Sequence, residues 1–224
     1  MTDQKPLFLH EELLLLALRD EEGTISAAMY PYALAGAVLA ELMLHERIQV
    51  GDTKTKLVHL TSDSPLGDPL LDECLEKIAK AEQPDSLADW VERFTAVKPL
   101  KDRVAEGLCE RGILRTEKGT FLFVFPKITY PEVDHGPEGK VLQRLQAAIF
   151  TEAEAEDTRT AVLLSLASST GMLPTIFDPK ELKPRQEHID RITQGEQVGQ
   201  AAKEAIEAMQ AALAMMTINT TLIN

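Results

Sequence analysis

Apolar residues recur at helical spacing in segment after segment of this 224-residue chain, while strand-prone runs are few and short. Residues 7–18, LFLHEELLLLAL, open the series and read as an amphipathic helix. His10 or the acidic pair Glu11 and Glu12 falls in its first turn, where the helix dipole favours negative charge. A second helix is predicted from about Tyr32 to His45, and its small Ala35, Gly36 and Ala37 permit close helix packing. Leu71, Leu75 and Ile78 share one face of a helix over 70–81. Residues 86–94 form another, capped by Asp85 or Ser86, and 101–111 a further one ended by Gly112. Helices follow at about 139–151, 157–170 and 181–193. The last, Glu196 to Met216, sets Val198, Ala202, Ala205, Met209, Ala212 and Met216 on one side; the tail from Thr217 reads as frayed.

The β signal is confined to small pieces. Arg47–Val50 and Leu57–Ser62 flank a Gly51-Asp52 turn, and residues 19–23 read as a turn. Ile113–Arg115 and Thr120–Pro126 flank Glu117-Lys118-Gly119, a hairpin whose second arm, TFLFVF, is strongly strand-prone. The Pro- and Gly-rich stretch 129–139 reads as a loop. There is no internal repeat. The expected architecture is mainly α: a single compact helical domain over 1–224 with a few short strands. A chain of this length buries a sizeable core without staples.

Charge and cysteine content bound the function. The formal net charge of −13 weighs against nucleic-acid binding, which needs clustered Lys and Arg. It also weighs against nonspecific adsorption to anionic lipid, while leaving room for a local basic patch. Cys74 and Cys109 make no disulfide framework and suit a reducing cytosol. Residues 1–6 lack a signal-peptide pattern, the apolar run Leu13–Leu18 is short, and no segment reaches the roughly 18 apolar residues of a membrane span. A cytoplasmic protein with at most peripheral membrane contact is expected.

Candidate chemistry is sparse. His10, His45, His59, His135 and His188 show no i, i+4 zinc pair and read as surface or capping residues. His10-Glu11-Glu12 resembles the start of HExxH, but position 14 is leucine. No nucleophile elbow, Walker loop or dinucleotide fingerprint occurs. Ser165–Gly171 reads as a helix end, Cys109 as a thiol without a visible base, and the acidic run 152–157 as a solvated helix start. No enzyme, cofactor or metal site is expected. One stretch opposes the global charge: 98–118 holds six basic residues against four acidic. Lys98 and Lys101 lie three apart at a helix start, where free backbone N–H groups also favour anions.

Five segments taken in order resemble the Golgi phosphoprotein 3 family: LFLHEELLLLALRDEEGTIS (7–26), LAGAVLAELMLHERIQV (34–50), SDSPLGDPLLDECLEKI (62–78), LKDRVAEGLCERGILRTEKGTFLFVFP (100–126) and TRTAVLLSLASSTGML (158–173). The resemblance implies a helical domain with a projecting β-hairpin, about 115–129, used in self-association to give a homo-oligomer. It implies a non-catalytic peripheral membrane adaptor that binds phosphatidylinositol 4-phosphate and protein clients. Phe121, Phe123 and Phe125 alternate along one arm of that hairpin, for an intermolecular contact or for packing on the parent domain. The family's head-group site combines a tryptophan, a helix-two arginine and two basic residues three apart. The basic pair matches Lys98 and Lys101, while the other two positions fall near Ala28 and at Ala35. Arg103 is a further candidate ligand, and Met29 and Tyr30 are candidate replacements for the indole. The alternative is a protein-interaction module with a degenerate lipid site.

Overall fold

A computed structural model of the chain describes residues 5–19, 24–25, 29–51, 55–97, 100–121, 125–151, 157–195, 203 and 206–214. Ten α-helices and six short strands occupy those residues. The helices fall into two classes by how they meet water. The central ones, α1 (Leu9–Ala17), α2 (Tyr30–Leu44) and α7 (Thr158–Ser169), pack on one another. All nine residues of α1 are buried, so the expected amphipathic helix has no face open to water. A helix buried all round is stable only inside a shell of other elements, and α2, α5, α6 and α7 supply it.

The surrounding helices keep one wet face. Helix α3 (Pro69–Ala79) buries Leu71, Leu75 and Ile78 as its spacing predicts; Asp68 caps it by accepting from the Leu70 and Leu71 amides. Ser86, rather than Asp85, caps α4 (Leu87–Thr95) by accepting from the Asp89 amide. Helix α5 (Leu100–Glu110) ends at Gly112, whose φ of 72° closes the last turn as the Ile113 amide reaches back to the Leu108 carbonyl. Helix α6 (Gly136–Phe150) starts inside the stretch read as a loop. At Gly36 an added Cβ would stand 3.1 Å from Leu166 Cδ2 and 3.4 Å from Met209 Sδ, so the absent side chain lets α2 close on α7 and on the helical segment 206–214.

Three departures have physical causes. The helix expected over 181–193 is broken into α9 (Pro179–Leu182), a 3-10 turn (Lys183–Arg185) and α10 (Gln186–Thr193), because Pro184 cannot donate an intrahelical bond. A short helix, α8 (Leu173–Ile176), stands between α7 and α9. Of the last predicted helix, Met209 and Ala212 are buried within 206–214, while Val198, Ala202, Ala205 and Met216 lie outside the described residues.

The strands make three separate antiparallel pairs. Leu18–Arg19 (β1) pairs with Thr24–Ile25 (β2), and Ile48–Val50 (β3) with Val58–Leu60 (β4). The hairpin consists of β5 (Glu117–Phe121) and β6 (Phe125–Thr129), prolonged by a bridge between Leu114 and Glu132. This corrects the register expected from residue type. Glu117, Lys118 and Gly119 belong to a strand, with Gly119 opposite Lys127, and residues 122–124 lie outside the described residues. Phe121 and Phe125 are therefore register partners on two arms instead of following one, and Phe123 lies outside the described residues. The pair projects: Glu117–Thr120 and Lys127 are exposed, and so is Ile128, at 44%.

Candidate functional site

Lys101 stands in the first turn of α5. Its ammonium lies 3.5 Å from Asp102 Oδ1 and 5.4 Å from the centroid of the Tyr130 ring, a cation held by a carboxylate and an aromatic face. Tyr130 follows β6 directly, is 2% exposed, and donates its hydroxyl to Asp102 Oδ1 at 3.0 Å. Burial, aided by the Asp102 bond and charge, pushes the Tyr130 hydroxyl pKa up, so it stays a neutral donor. Helix α2 packs on α5, and the pKa of Tyr30, at the start of α2, is raised by burial and then by the charge of Asp102. Met29 and Tyr30 are both half-buried. Lys98 and Ala28 lie outside the described residues.

Arg103 has another engagement. Its Nη1 donates to Glu73 Oε2 at 2.5 Å and its Nη2 to the Pro69 carbonyl at 3.4 Å. Lys77 holds the other oxygen of Glu73 at 2.9 Å. Hydrogen bonds from Lys77 and then Arg103 hold the Glu73 carboxyl below the usual range, against the opposing effect of desolvation. Arg103 also lines a cleft that contains Glu11, Asp68, Glu106 and Glu110, acidic surroundings for an anion receptor. Ala35 is fully buried in α2. Of the basic stretch 98–118, Arg111 pairs with Glu11 and Arg115 with Glu117, so these cations do not pool into one patch.

The most organised polar chemistry is a buried network that local pattern did not reveal. Glu11, Glu12 and Glu41 are at most 4% exposed. Arg111 donates to Glu11 at 2.7 Å, Arg144 to Glu12 at 2.8 Å, and Arg159 grips Glu41 with two bonds of 2.9 and 2.8 Å. The network also ends α1: the Phe8 amide donates to Glu11 at 2.8 Å and the Leu9 amide to Glu41 at 2.6 Å. Free N–H groups at a helix start are thereby met by carboxylates. Glu12 Oε2 has no partner, and burial raises the Glu12 pKa despite Arg159 and Arg144.

Two histidines depart from the surface reading. His10 is 1% exposed with Nδ1 unpartnered, and burial lowers its pKa. His188 is buried with Nε2 2.9 Å from the Ala148 carbonyl. Ser165 is buried and accepts from Gln210 at 3.1 Å, and Thr170 and Gly171 end α7 as expected. Of the acidic run, Asp157 caps α7 and 152–156 lie outside the described residues. Glu132, His135 and Glu138 bring ligand atoms within 4.8 Å of one another, a set chemically able to hold a divalent cation. Glu132 already holds His135 Nδ1 at 2.9 Å, and Glu138 sits in the first turn of α6, where the dipole favours it. No helix among the described residues is long and apolar enough to cross a membrane.

Comparison with known proteins places this arrangement. The chain is 28% identical to Vacuolar protein sorting-associated protein 74 of Eremothecium gossypii, over 85% of this chain and 67% of the relative. The model of the Golgi phosphoprotein 3 family matches residues 9–209, from the first residue of α1 into the helical segment 206–214. With the family match running over nearly the whole chain, this protein belongs to the Golgi phosphoprotein 3 family.

Proposed function

We propose that the protein is a non-catalytic peripheral membrane adaptor. The start of α5 meets a phosphorylated lipid head group, phosphatidylinositol 4-phosphate by family resemblance. The observation that carries the reading is Lys101, fixed between Asp102 and the Tyr130 ring at a helix N-terminus. A cation and oriented amides at one point suit a phosphate. Lys98 is the second basic ligand, and Arg103 joins only by leaving Glu73. The hairpin serves self-association, and the relative's name, which refers to vacuolar protein sorting, suits an adaptor that carries protein clients. A second reading, a protein-interaction module that has abandoned the lipid site, is favoured by Ala35. The family's bidentate phosphate donor is replaced there by a methyl group closed off from solvent.

Vesicle co-sedimentation at about 0.15 M salt, where exposed charges are screened beyond about 8 Å, tests this. Wild type is expected to pellet with phosphatidylinositol 4-phosphate vesicles and not with neutral ones, and Lys98→Ala/Lys101→Ala to stay in the supernatant. Equal pelleting of both proteins overturns the site. Absence of wild-type pelleting on any vesicle selects the protein-interaction reading.

A further inference from the structure

The second basic locus lies at the other end of α5. Arg111 is ten residues beyond Lys101, about 15 Å along a helix at 1.5 Å per residue. It opens on a cavity of about 240 Å³ shared by the residues before α1, the end of α5 and the first turns of α6. Lys5, Arg111, Lys140 and Arg144 line its walls, with one carboxylate, Glu12, and an apolar floor that includes Pro137 and Val141. In a chain of net charge −13 this concentration of cations is anomalous.

Following the charges to their partners shows what is left over. Glu11, Glu12 and Glu41 are matched by Arg111, Arg144 and Arg159. Asp157 touches Arg144 at 3.5 Å. Lys5 rests over the Phe8 ring at 4.8 Å from its centroid, and Lys140 is exposed and makes no ion pair with a described residue. Three arginines thus face four carboxylates, one negative charge over, and the two lysines turn the locus net positive by one. The two arginines beside them are held in place, Arg111 by Glu11 and the Lys5 carbonyl and Arg144 by Glu12 and Asp157, which leaves each guanidinium its remaining N–H groups for a ligand. Positioned guanidinium groups and two exposed ammonium groups over a small concave site of net positive charge suit a compact anion.

We propose that this cavity binds a phosphate monoester, with Lys5 and Lys140 supplying the compensating charge and Arg111 and Arg144 directed hydrogen bonds. The monoester comes either from a soluble phosphorylated metabolite or from a lipid whose head group is a bare phosphate. The site is separate from the Lys98–Lys101 locus and does not depend on it.

The test uses the full chain and three probes: inorganic phosphate, glycerol 3-phosphate, and phosphatidylcholine vesicles containing phosphatidic acid, with phosphatidylserine vesicles as the diester control. Calorimetry at about 0.05 M and about 0.15 M salt is expected to show phosphate and glycerol 3-phosphate binding that weakens with salt. Lys5→Ala/Lys140→Ala removes two exposed side chains, leaves the buried network intact and is expected to weaken binding at least about tenfold. Lys98→Ala/Lys101→Ala is expected to bind as wild type. Sedimentation with phosphatidic acid but not phosphatidylserine assigns the lipid source, and calorimetric binding without sedimentation assigns the soluble one. Wild type that takes up neither phosphate nor its ester, or a Lys5/Lys140 variant that binds as tightly as wild type, overturns the proposal.

Discussion

Arg159→Ala is the most informative single change in this fold. Glu41 is 0% exposed and accepts four hydrogen bonds: two from Arg159, one from the Leu9 amide at 2.6 Å, and one involving His45 Nε2 at 3.1 Å. Arg159 also donates to the Leu7 carbonyl at 2.7 Å. Removing the guanidinium strands a carboxylate inside the core, which typically costs about 3–5 kcal/mol, against about 5–15 kcal/mol for a whole domain. At roughly 2–4 °C per kcal/mol for a chain this long, the melting temperature falls by roughly 6–20 °C. Urea denaturation followed by circular dichroism reads the loss directly. Glu41→Leu/Arg159→Leu removes both charges; like Arg159→Ala it frees the Leu7 carbonyl and takes a cation from Glu12, but in place of the stranded carboxylate it leaves the Leu9 N–H unmet, about 1–3 kcal/mol. The double variant is therefore more stable than Arg159→Ala. A loss below about 1 kcal/mol for Arg159→Ala, or a double variant as unstable as the sum of its single changes, refutes the claim that the pair acts as a desolvated unit.

Three further outcomes follow from the same structure. Burial lowers the folded pKa of His10 below its ordinary 6.5, so the unfolded chain takes up the proton first; stability is full above that pH and falls as the pH drops below it. Thermal melts between pH 7.5 and 5.5 should show a smaller decline for His10→Leu than for wild type. Burial pushes the Cys74 thiol up to about 12, while Cys109 is half-buried, so a thiol reagent should label Cys109 alone in the native protein and Cys74 only on unfolding. If the hairpin mediates self-association, Ile128→Asp on its exposed second strand should lower the mass measured by light scattering without altering the circular dichroism spectrum; an unchanged mass removes the hairpin from the interface.

What the sequence disclosed was set by how local its causes are. The Gly112 stop and the apolar face of α3 each depend on a few neighbouring residues, and the room for close packing at Gly36 on its own small size, and all were legible. The hairpin was legible as a hairpin but not in register, because β-propensity favours the whole run TFLFVF and does not mark which residues turn. Glu11 and Glu12 looked like residues placed for a helix dipole. Their burial depends on Arg111 and Arg144, which lie 100 and 132 residues away and leave no trace in spacing. The basic locus around Lys5 and Lys140 was hidden for the same reason, since α1, α5 and α6 contribute to one cavity from three parts of the chain.

The long reach of those pairs sets a timetable for synthesis. Helix α1 leaves the ribosome before the helices that surround it, already carrying carboxylates that only later segments can neutralise. Glu41 must await Arg159, 118 residues downstream, or roughly 6–24 s at about 5–20 residues per second. During that interval α1 gains its cover piecemeal, from α2 first and α7 last, and Glu11 and Glu12 wait for Arg111 and Arg144 in turn. Native docking of α1 is thus a closing step of folding, although α1 is made before every other helix in the fold. Slower translation between α2 and α7 would lengthen the exposure, and holding chaperones would find their target at the beginning of the chain.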